Sequence, residues 1–267
     1  MSKATERAEM PQGSATVLNY RSLAKDYATL IPLLKEGMRV LDVGCGTGAI
    51  TLRIAEKVGK TGQVIGLDES KHLIEEGKAL FDLPDNLTLI AGDLFSYEPE
   101  EKFDLIVSAR VLQWLSNPKA ALAKMQTWLK PNGQISILDY NHEELEWTPK
   151  PPESMQLFYA AFLKWKKEAG MNNRIAEDLP TYFEELGFQS IESINANEVY
   201  QKGNANFLPK IGIWTKVAES RGLQMQRDGY VTNELRLQAI EAYNKWIETD
   251  AEQMVMKLND VRGITGG

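Results

Sequence analysis

A single cysteine, Cys45, leaves this chain without a partner for an internal disulfide, which points to a reducing, cytoplasmic setting. Histidine is nearly as scarce. The two present, His72 and His142, lie far apart, and no cluster with metal-ligand spacing accompanies them, so no metal centre is expected. No apolar run approaches the roughly 18 residues that a membrane span needs. The N-terminal MSKATERAEMPQGSAT is polar and mixed in charge, unlike the apolar core of a secretory signal, and no membrane partner is expected. A basic surplus is also lacking: 30 Lys and Arg against 37 Asp and Glu give a net charge of −7. Phosphate contacts supply most nucleic-acid affinity, so DNA is not an expected partner. The densest basic run, Lys164-Trp165-Lys166-Lys167, reads as the wet face of a helix.

What is present is enough to build a core, with 43% hydrophobic and 25% charged residues. Residues 1–16 read as a mobile leader. Apolar residues then recur at helical spacing from Tyr20 to Leu34, and the two stretches form an N-terminal unit over 1–36. From there strand and helix patterns alternate. Runs at 39–43, 63–68, 87–91, 103–107 and 134–140 read as strands, and 47–58, 70–80 and 117–130 as helices, with caps expected at Ser70 and Asn117. Repeated β-α units imply parallel strands with right-handed crossovers, and hence a doubly wound α/β sheet over 37–140. Residues 141–175 read as an inserted lid, 176–203 as the end of the core, and 204–267 as a helical extension with Thr232 as a cap.

The strongest local signal is Leu41-Asp42-Val43-Gly44-Cys45-Gly46-Thr47-Gly48, placed where a strand turns into a helix. Glycines there let the backbone approach a ligand and present amides at a helix N-terminus. The spacing is G-x-G-x-G, not the G-x-G-x-x-G of dinucleotide folds. Asp42 precedes the loop inside the strand, placed to hold it and to meet a ligand ammonium. Asp68 closes the second strand, where a carboxylate can accept from two ribose hydroxyls. Asp93, in Ala91-Gly92-Asp93-Leu94-Phe95, follows the third, placed to accept from an adenine amino group with Leu94 or Phe95 against the ring. Each acid alone could be a turn cap. Three at successive carboxyl ends of strands mark the edge where open α/β sheets bind ligands.

With these residues the sequence resembles the class I S-adenosylmethionine-dependent methyltransferases, especially their small-molecule group. VLDVGCGTG at 40–48, VIGLDES at 64–70, AGDLF at 91–95, FDLIVSARVLQWL at 103–115 and LKPNGQISILDY at 129–140 carry the likeness, which is continuous over roughly 20–140 and weaker over 176–203. The resemblance implies a Rossmann-like, mostly parallel sheet with a helical insertion and a C-terminal helical lid. It also implies S-adenosyl-L-methionine as cofactor. Gly44 and Gly46, supported by Asp42, would lie along its methionine part. Asp68 would bind the ribose, and Asp93 the adenine with Leu94 beside it. The backbone at Ala109 and Arg110 would close over the amino-acid moiety, and Tyr20 would cover the cofactor.

Methyl transfer from a sulfonium is an in-line displacement that needs alignment and exclusion of water. An oxygen or nitrogen nucleophile can also need a base. His142, after the fifth strand, is the candidate, against an ordinary loop histidine. Arg110 faces either an acidic substrate group or a lid carboxylate. Cys45 reads as a small packed residue rather than a nucleophile. No Asn/Asp-Pro-Pro-Tyr/Phe sequence follows the fourth strand, which argues against base N-methylation, and Trp147, Phe158, Trp165 and Trp214 suggest an apolar pocket under the lid. The expected function is methyl transfer to a small-molecule acceptor. The alternatives are a catalytically silent cofactor-binding partner or a methyltransferase acting on protein or RNA. Assembly as a homodimer is left open.

Overall fold

Five apolar runs, four of them leading into helical turns on the carboxyl side, build the parallel half of an eight-stranded sheet in the computed structural model, which describes residues 3–8 and 18–266. They are β1 Arg39–Val43, β2 Gln63–Asp68, β3 Leu87–Ala91, β4 Phe103–Ala109 and β5 Leu129–Thr148. Three later strands follow: β6 Gln189–Asn195, β7 Glu198–Gln201 and β8 Gln253–Ile264. The order is β3-β2-β1-β4-β5-β8-β6, and β7 also pairs with β8. Strands β1 to β5 run parallel, whereas β8 is antiparallel to β5, β6 and β7. Strand order reverses between β1 and β4, so a crevice opens at their carboxyl ends.

The helices are α1 Lys3–Ala8, α2 Leu23–Asp26, α3 Ala49–Val58, α4 Lys71–Leu80, α5 Pro118–Thr127, α6 Glu153–Glu168, α7 Ile175–Glu185, α8 Phe207–Ile211, α9 Ile213–Arg227 and α10 Asn233–Thr249. Alternate strand residues serve opposite faces. Val40, Val64, Leu105, Val107 and Leu138 pack with Ile50, Ile54 and Val58 of α3. Leu41, Ile65, Ile106, Ile135 and Ile137 pack with Leu122 and Met125 of α5 and with Leu179 and Phe183 of α7. Each such side chain contributes about 1.5–3 kcal/mol on burial, so a sheet covered on both faces dominates the stability.

Two caps fall where the sequence puts them. Asn117 Oδ1 accepts from the Ala120 N–H at 3.0 Å, and Thr232 Oγ1 from the Leu235 N–H at 3.1 Å. Ser70 makes no such bond; its hydroxyl lies 2.8 Å from His72 Nδ1. The first helical stretch breaks into α2 and a 3-10 turn, Ala28–Leu33, because Tyr27 leaves helical geometry at φ −153°. Buried Tyr27 donates to the Ser136 carbonyl at 2.9 Å and clamps this segment onto β5.

The structure departs from the expected rhythm in three places. β5 does not end at Tyr140 but continues to Thr148, because β8 supplies a partner as far as Gln253. The chain is not helical to its end: residues 253–264 form β8, with Met254, Met256, Leu258 and Val261 buried. Within the leader, residues 3–8 form α1, and buried Arg7 donates to the Trp165 carbonyl and pairs with Asp228 at 3.2 Å. Residues 1, 2 and 9–16, the rest of that leader, lie outside the described residues.

Helices α6, α8, α9 and α10 cover the carboxyl edge beyond β5. Their aromatics, among them Phe158, Phe162, Trp165, Trp214 and Tyr243, join the core on the α3 face. Trp147 Nε1 donates to Tyr243 Oη at 3.0 Å and ties β5 to this layer. Among the described residues no helix is long and apolar enough to cross a membrane.

Candidate active site

At the end of β1 the backbone turns through three glycines in left-handed conformation, Gly44 (φ 74°), Gly46 (φ 59°) and Gly48 (φ 83°), and enters α3. An L residue resists that region. Space is also short: a Cβ on Gly44 would run into the Val111 side chain, and one on Gly46 would come within 3.1 Å of Leu18. The Gly44 and Cys45 amides donate to the Leu67 carbonyl at 2.7 and 3.2 Å, locking the loop to the end of β2. Asp68 completes the lock. Its Oδ2 accepts from the Gly46 N–H at 2.8 Å and its Oδ1 from the Ser70 N–H at 2.9 Å. Burial pushes its carboxyl up despite those two bonds. Beneath the loop, Asp42 is buried and accepts from Thr51 Oγ1 at 2.6 Å. Burial, aided by the Asp68 charge and opposed by Thr51, pushes it up to about 6.

The loop through Gly44 and Gly46 is thus locked to Leu67 and Asp68 at the end of β2, with Asp42 fixed beneath it by Thr51. Asp93 stands on the same edge, because Ala91 pairs with Asp68 and the Gly92 N–H reaches the Asp68 carbonyl at 2.9 Å. It is exposed, and its Oδ1 accepts from the Phe95 N–H at 3.1 Å; Leu94 is half-buried. Ala109 ends β4, two residues before the Val111 that covers Gly44. Tyr20 is 85% exposed. The residue of that segment lying over the loop is Leu18, while Asn19 anchors the turn to α4 through Glu76 at 2.9 Å. Burial pushes the Cys45 thiol well up, and its sulfur would sit 2.9 Å from a Cβ on Gly66, so it serves as a small packed residue.

Across the switch point, Arg110 has φ 65°, a strained value for a residue with a side chain. Its guanidinium is buried. Nε donates to Tyr140 Oη at 2.9 Å, and Nη2 donates to the Asp26 carbonyl at 2.9 Å and to Glu198 Oε1 at 2.6 Å. The carboxylate that meets Arg110 therefore comes from β7 of the protein itself. Burial opposes the charge, but Tyr140 and Glu198 outweigh it and keep the guanidinium protonated. A cavity of about 530 Å3 opens beside this pair, walled also by Tyr27, Tyr200 and Lys210.

His142 is not on a loop. It lies in β5, buried, with Tyr140 stacked on it at 5.0 Å and Trp214 edge-on at 6.0 Å. Its Nε2 is 2.7 Å from Gln113 Oε1, which also accepts from Lys166 Nζ at 2.8 Å. Burial first, and then Lys166, hold its protonation well below the ordinary range. Gln113 Nε2 donates to the Arg110 carbonyl at 3.4 Å, so the two candidate catalytic residues belong to one network.

A methyltransferase-domain family model matches residues 34–187, over half of the chain and the whole of β1 to α7. The chain belongs to the S-adenosylmethionine-dependent methyltransferases. A demethylmenaquinone methyltransferase of Staphylococcus aureus is 29% identical over 177 residues, covering 59% of this chain and 70% of that one. The structure of a phosphoethanolamine N-methyltransferase 2 from Haemonchus contortus, in complex with S-adenosyl-L-methionine, superposes with a TM-score of 0.60 at 17% identity. It covers 100% of this methyltransferase, which spans only 60% of the Haemonchus contortus chain. A SAM-dependent methyltransferase from Aquifex aeolicus matches with a TM-score of 0.54 and 17% identity, over 96% of this chain and 99% of its own.

Sequence reasoning missed several buried polar residues of the candidate site. Lys166 was grouped with the wet face of its helix, yet it is fully buried, its ammonium 4.7 Å from the Trp114 ring centre and 5.5 Å from that of Phe162. The signal was there. Lys166 follows Phe162 by four positions and so shares its inward stripe, whereas Lys164 and Lys167 point to water. Gln113, buried beside Trp114, carried no local mark. Glu198 and Asp26 reach Arg110 only through the tertiary fold.

Proposed function

We propose that this methyltransferase transfers the methyl group to a small-molecule acceptor held beyond Arg110. The observation that carries the reading is the glycine loop locked to Asp68 at the end of β2; a cavity of about 530 Å3 lined by Arg110 and Glu198, a volume suited to a small ligand, supports it on the acceptor side. The cradle fits the cofactor. Its glycines offer backbone instead of side chain, and each carboxylate oxygen of half-buried Asp68 uses one lone pair on a backbone amide, of Gly46 or Ser70, and keeps another for a hydroxyl. Gly44, Gly46 and Asp42 would hold the methionine part with Ala109, Asp68 the ribose, and Asp93 and Leu94 the adenine; Tyr20 would have to swing inward. When bound, S-adenosyl-L-methionine supplies an electrophilic methyl group on a sulfonium.

The chain's own residues then do three things. Arg110, fixed by Tyr140, Asp26 and Glu198, walls the acceptor cavity and sets its polarity. Trp214, Phe162 and Tyr159 exclude water from the edge of β5, where a dry setting favours a displacement that disperses charge. His142 offers an imidazole nitrogen to an acceptor that must lose a proton. The named substrate of the Staphylococcus aureus relative is a small molecule, and the single cysteine suits a cytoplasmic setting; both support the reading. The test is calorimetric titration with S-adenosyl-L-methionine and separately with NAD, followed by a methyl-transfer screen on fractionated metabolites. Binding of the methyl donor alone, with transfer to a small molecule, is the expected result. Binding without turnover on any fraction would favour the silent module, and transfer lost steeply with added salt would favour RNA.

A further inference from the structure

The hydrogen-bond logic around Gln113 fixes the tautomer of His142. Lys166 Nζ lies 2.8 Å from one terminal atom of the Gln113 amide, and an ammonium can only donate, so that atom is the oxygen. The other amide atom lies 3.4 Å from the Arg110 carbonyl, which can only accept, so it is the nitrogen. Both ends agree. His142 Nε2 lies 2.7 Å from the same amide oxygen and must therefore carry a hydrogen. A neutral imidazole has one N–H, so Nδ1 keeps its lone pair. That Nδ1 is buried and has no partner among the described residues. A buried acceptor left bare costs free energy unless something donates to it.

We propose that Lys166 and Gln113 are positioning residues that lock His142 as a neutral Nε2–H imidazole and present its bare Nδ1 to a methyl acceptor whose nucleophilic oxygen or nitrogen carries a proton. This rests on the small-molecule methyltransferase reading and deepens it. As the bond from that oxygen or nitrogen to the methyl carbon forms, the carbon–sulfur bond breaks with its electron pair going to sulfur. The acceptor's proton passes to Nδ1 and then to water. An alkylated hydroxyl or amine-derived cation at the moment of transfer is far more acidic than its parent, so an imidazole of low basicity suffices for a hydroxyl and orients the lone pair of an amine.

Rings and charged groups surround the lock. The Trp114 and Phe162 rings flank the Lys166 ammonium and favour its charged form. Facing His142 and Lys166 are Asp139 and Tyr140 on β5, Tyr159 on α6, and Arg221 on α9, whose guanidinium lies 4.7 Å from the Trp114 ring centre. Tyr159 Oη donates to the His142 carbonyl at 2.5 Å, and Asp139 accepts from the Gln113 N–H at 3.1 Å. Burial pulls the Lys166 ammonium down to about 7, with Asp139 opposing that pull and Arg221 adding to it. The cation beside Gln113 disfavours a second positive charge on His142.

The chain has two histidines, so protein labelled with 15N-histidine shows two imidazoles, and His72→Gln leaves His142 alone. In the wild type His142 is expected as a single tautomer, protonated at Nε2, with no titration between about pH 5 and 8. Lys166→Met should release the amide and give a tautomer mixture or a titration within that range. Gln113→Glu should restore a fixed acceptor, keep Nε2–H and raise the titration. If Lys166→Met fails to fold, Gln113→Met makes the same test. A wild-type Nδ1–H tautomer, or variants with a His142 spectrum and titration identical to wild type, would overturn the lock. An acceptor from the metabolite screen whose reacting atom bears no proton would overturn the assigned acceptor class. Wild-type protein that binds no S-adenosyl-L-methionine would sink the functional reading while leaving the tautomer result standing on its own.

Discussion

Glu198→Ala strikes the acceptor side where its energetics are most exposed to measurement. The Arg110 side chain is 5% and the Glu198 side chain 16% accessible, and their charged atoms lie 2.6 Å apart. Removing the carboxylate leaves a buried guanidinium with only neutral acceptors, Tyr140 Oη and the Asp26 carbonyl. Breaking a buried pair from one side costs about 3–5 kcal/mol, and the adjoining cavity admits water that holds the loss near about 3 kcal/mol. For a chain of this size that corresponds to roughly 6–12 °C in melting temperature. Glu198→Gln keeps an acceptor for Arg110 and should lose about 1 kcal/mol. The double replacement Arg110→Met with Glu198→Leu should return close to wild type, since no charge is then stranded. Burial pushes the Glu198 carboxyl up, but Arg110 and the Tyr200 hydroxyl outweigh it and hold it below its ordinary value of 4.5. Its contribution is therefore complete above that value and is lost as pH falls through the lower folded one, so Glu198→Gln should flatten the acid limb of the stability profile. Urea unfolding at constant m-value measures all three variants. A Glu198→Ala protein within about 0.5 kcal/mol of wild type would refute a buried, pair-dependent Arg110.

Asp68→Ala should weaken S-adenosyl-L-methionine binding by about 1–3 kcal/mol, roughly a 5- to 150-fold rise in Kd; unchanged affinity in a folded protein, read by calorimetry, would remove Asp68 from the site. Gly44→Ala combines a left-handed backbone with a collision against Val111, and should lower stability by more than the roughly 1–2 kcal/mol of the backbone alone. Trimming Val111 to Ala in that background should recover part of the loss in a thermal melt, and no recovery would mean the strain lies elsewhere. Lys166→Met should be at least as stable as wild type at neutral pH, because burial holds the ammonium below its ordinary value of 10.5. The unfolded chain then binds more protons, wild-type stability rises as pH climbs toward 10.5, and the advantage of methionine should shrink over that interval. A constant difference from pH 7 to 10 would count against a strained lysine.

The parallel half of the sheet was legible because a strand buried on both faces leaves an uninterrupted apolar run, as in Phe103 to Val107, and a glycine loop marks the turn that follows. Asp42, Asp68 and Asp93 were legible for the same reason: strand ends in register bring them to one edge. What escaped depends on partners distant in sequence. β8 carries alternation on both faces, Met254-x-Met256-x-Leu258 against Val255, which without its neighbours reads no more as strand than as helix. β5 runs on past Tyr140 only because β8 lies alongside. Arg110 was visible as a candidate, but its carboxylate partner 88 positions later was not. Lys166 was hidden by its own company, three lysines of which one turns inward.

The place of β8 in the sheet sets an order of events during synthesis. β5 is made well before the strand that hydrogen-bonds to its outer edge, with roughly 100 residues between them, and at about 5–20 residues per second that interval lasts roughly 5–20 s. Throughout it, a half-built sheet holding Ile135 and Ile137 offers an open row of backbone donors and acceptors to whatever strand arrives first. Until β8 is made, the β5 edge therefore stays open and the core on that side of the sheet stays incomplete.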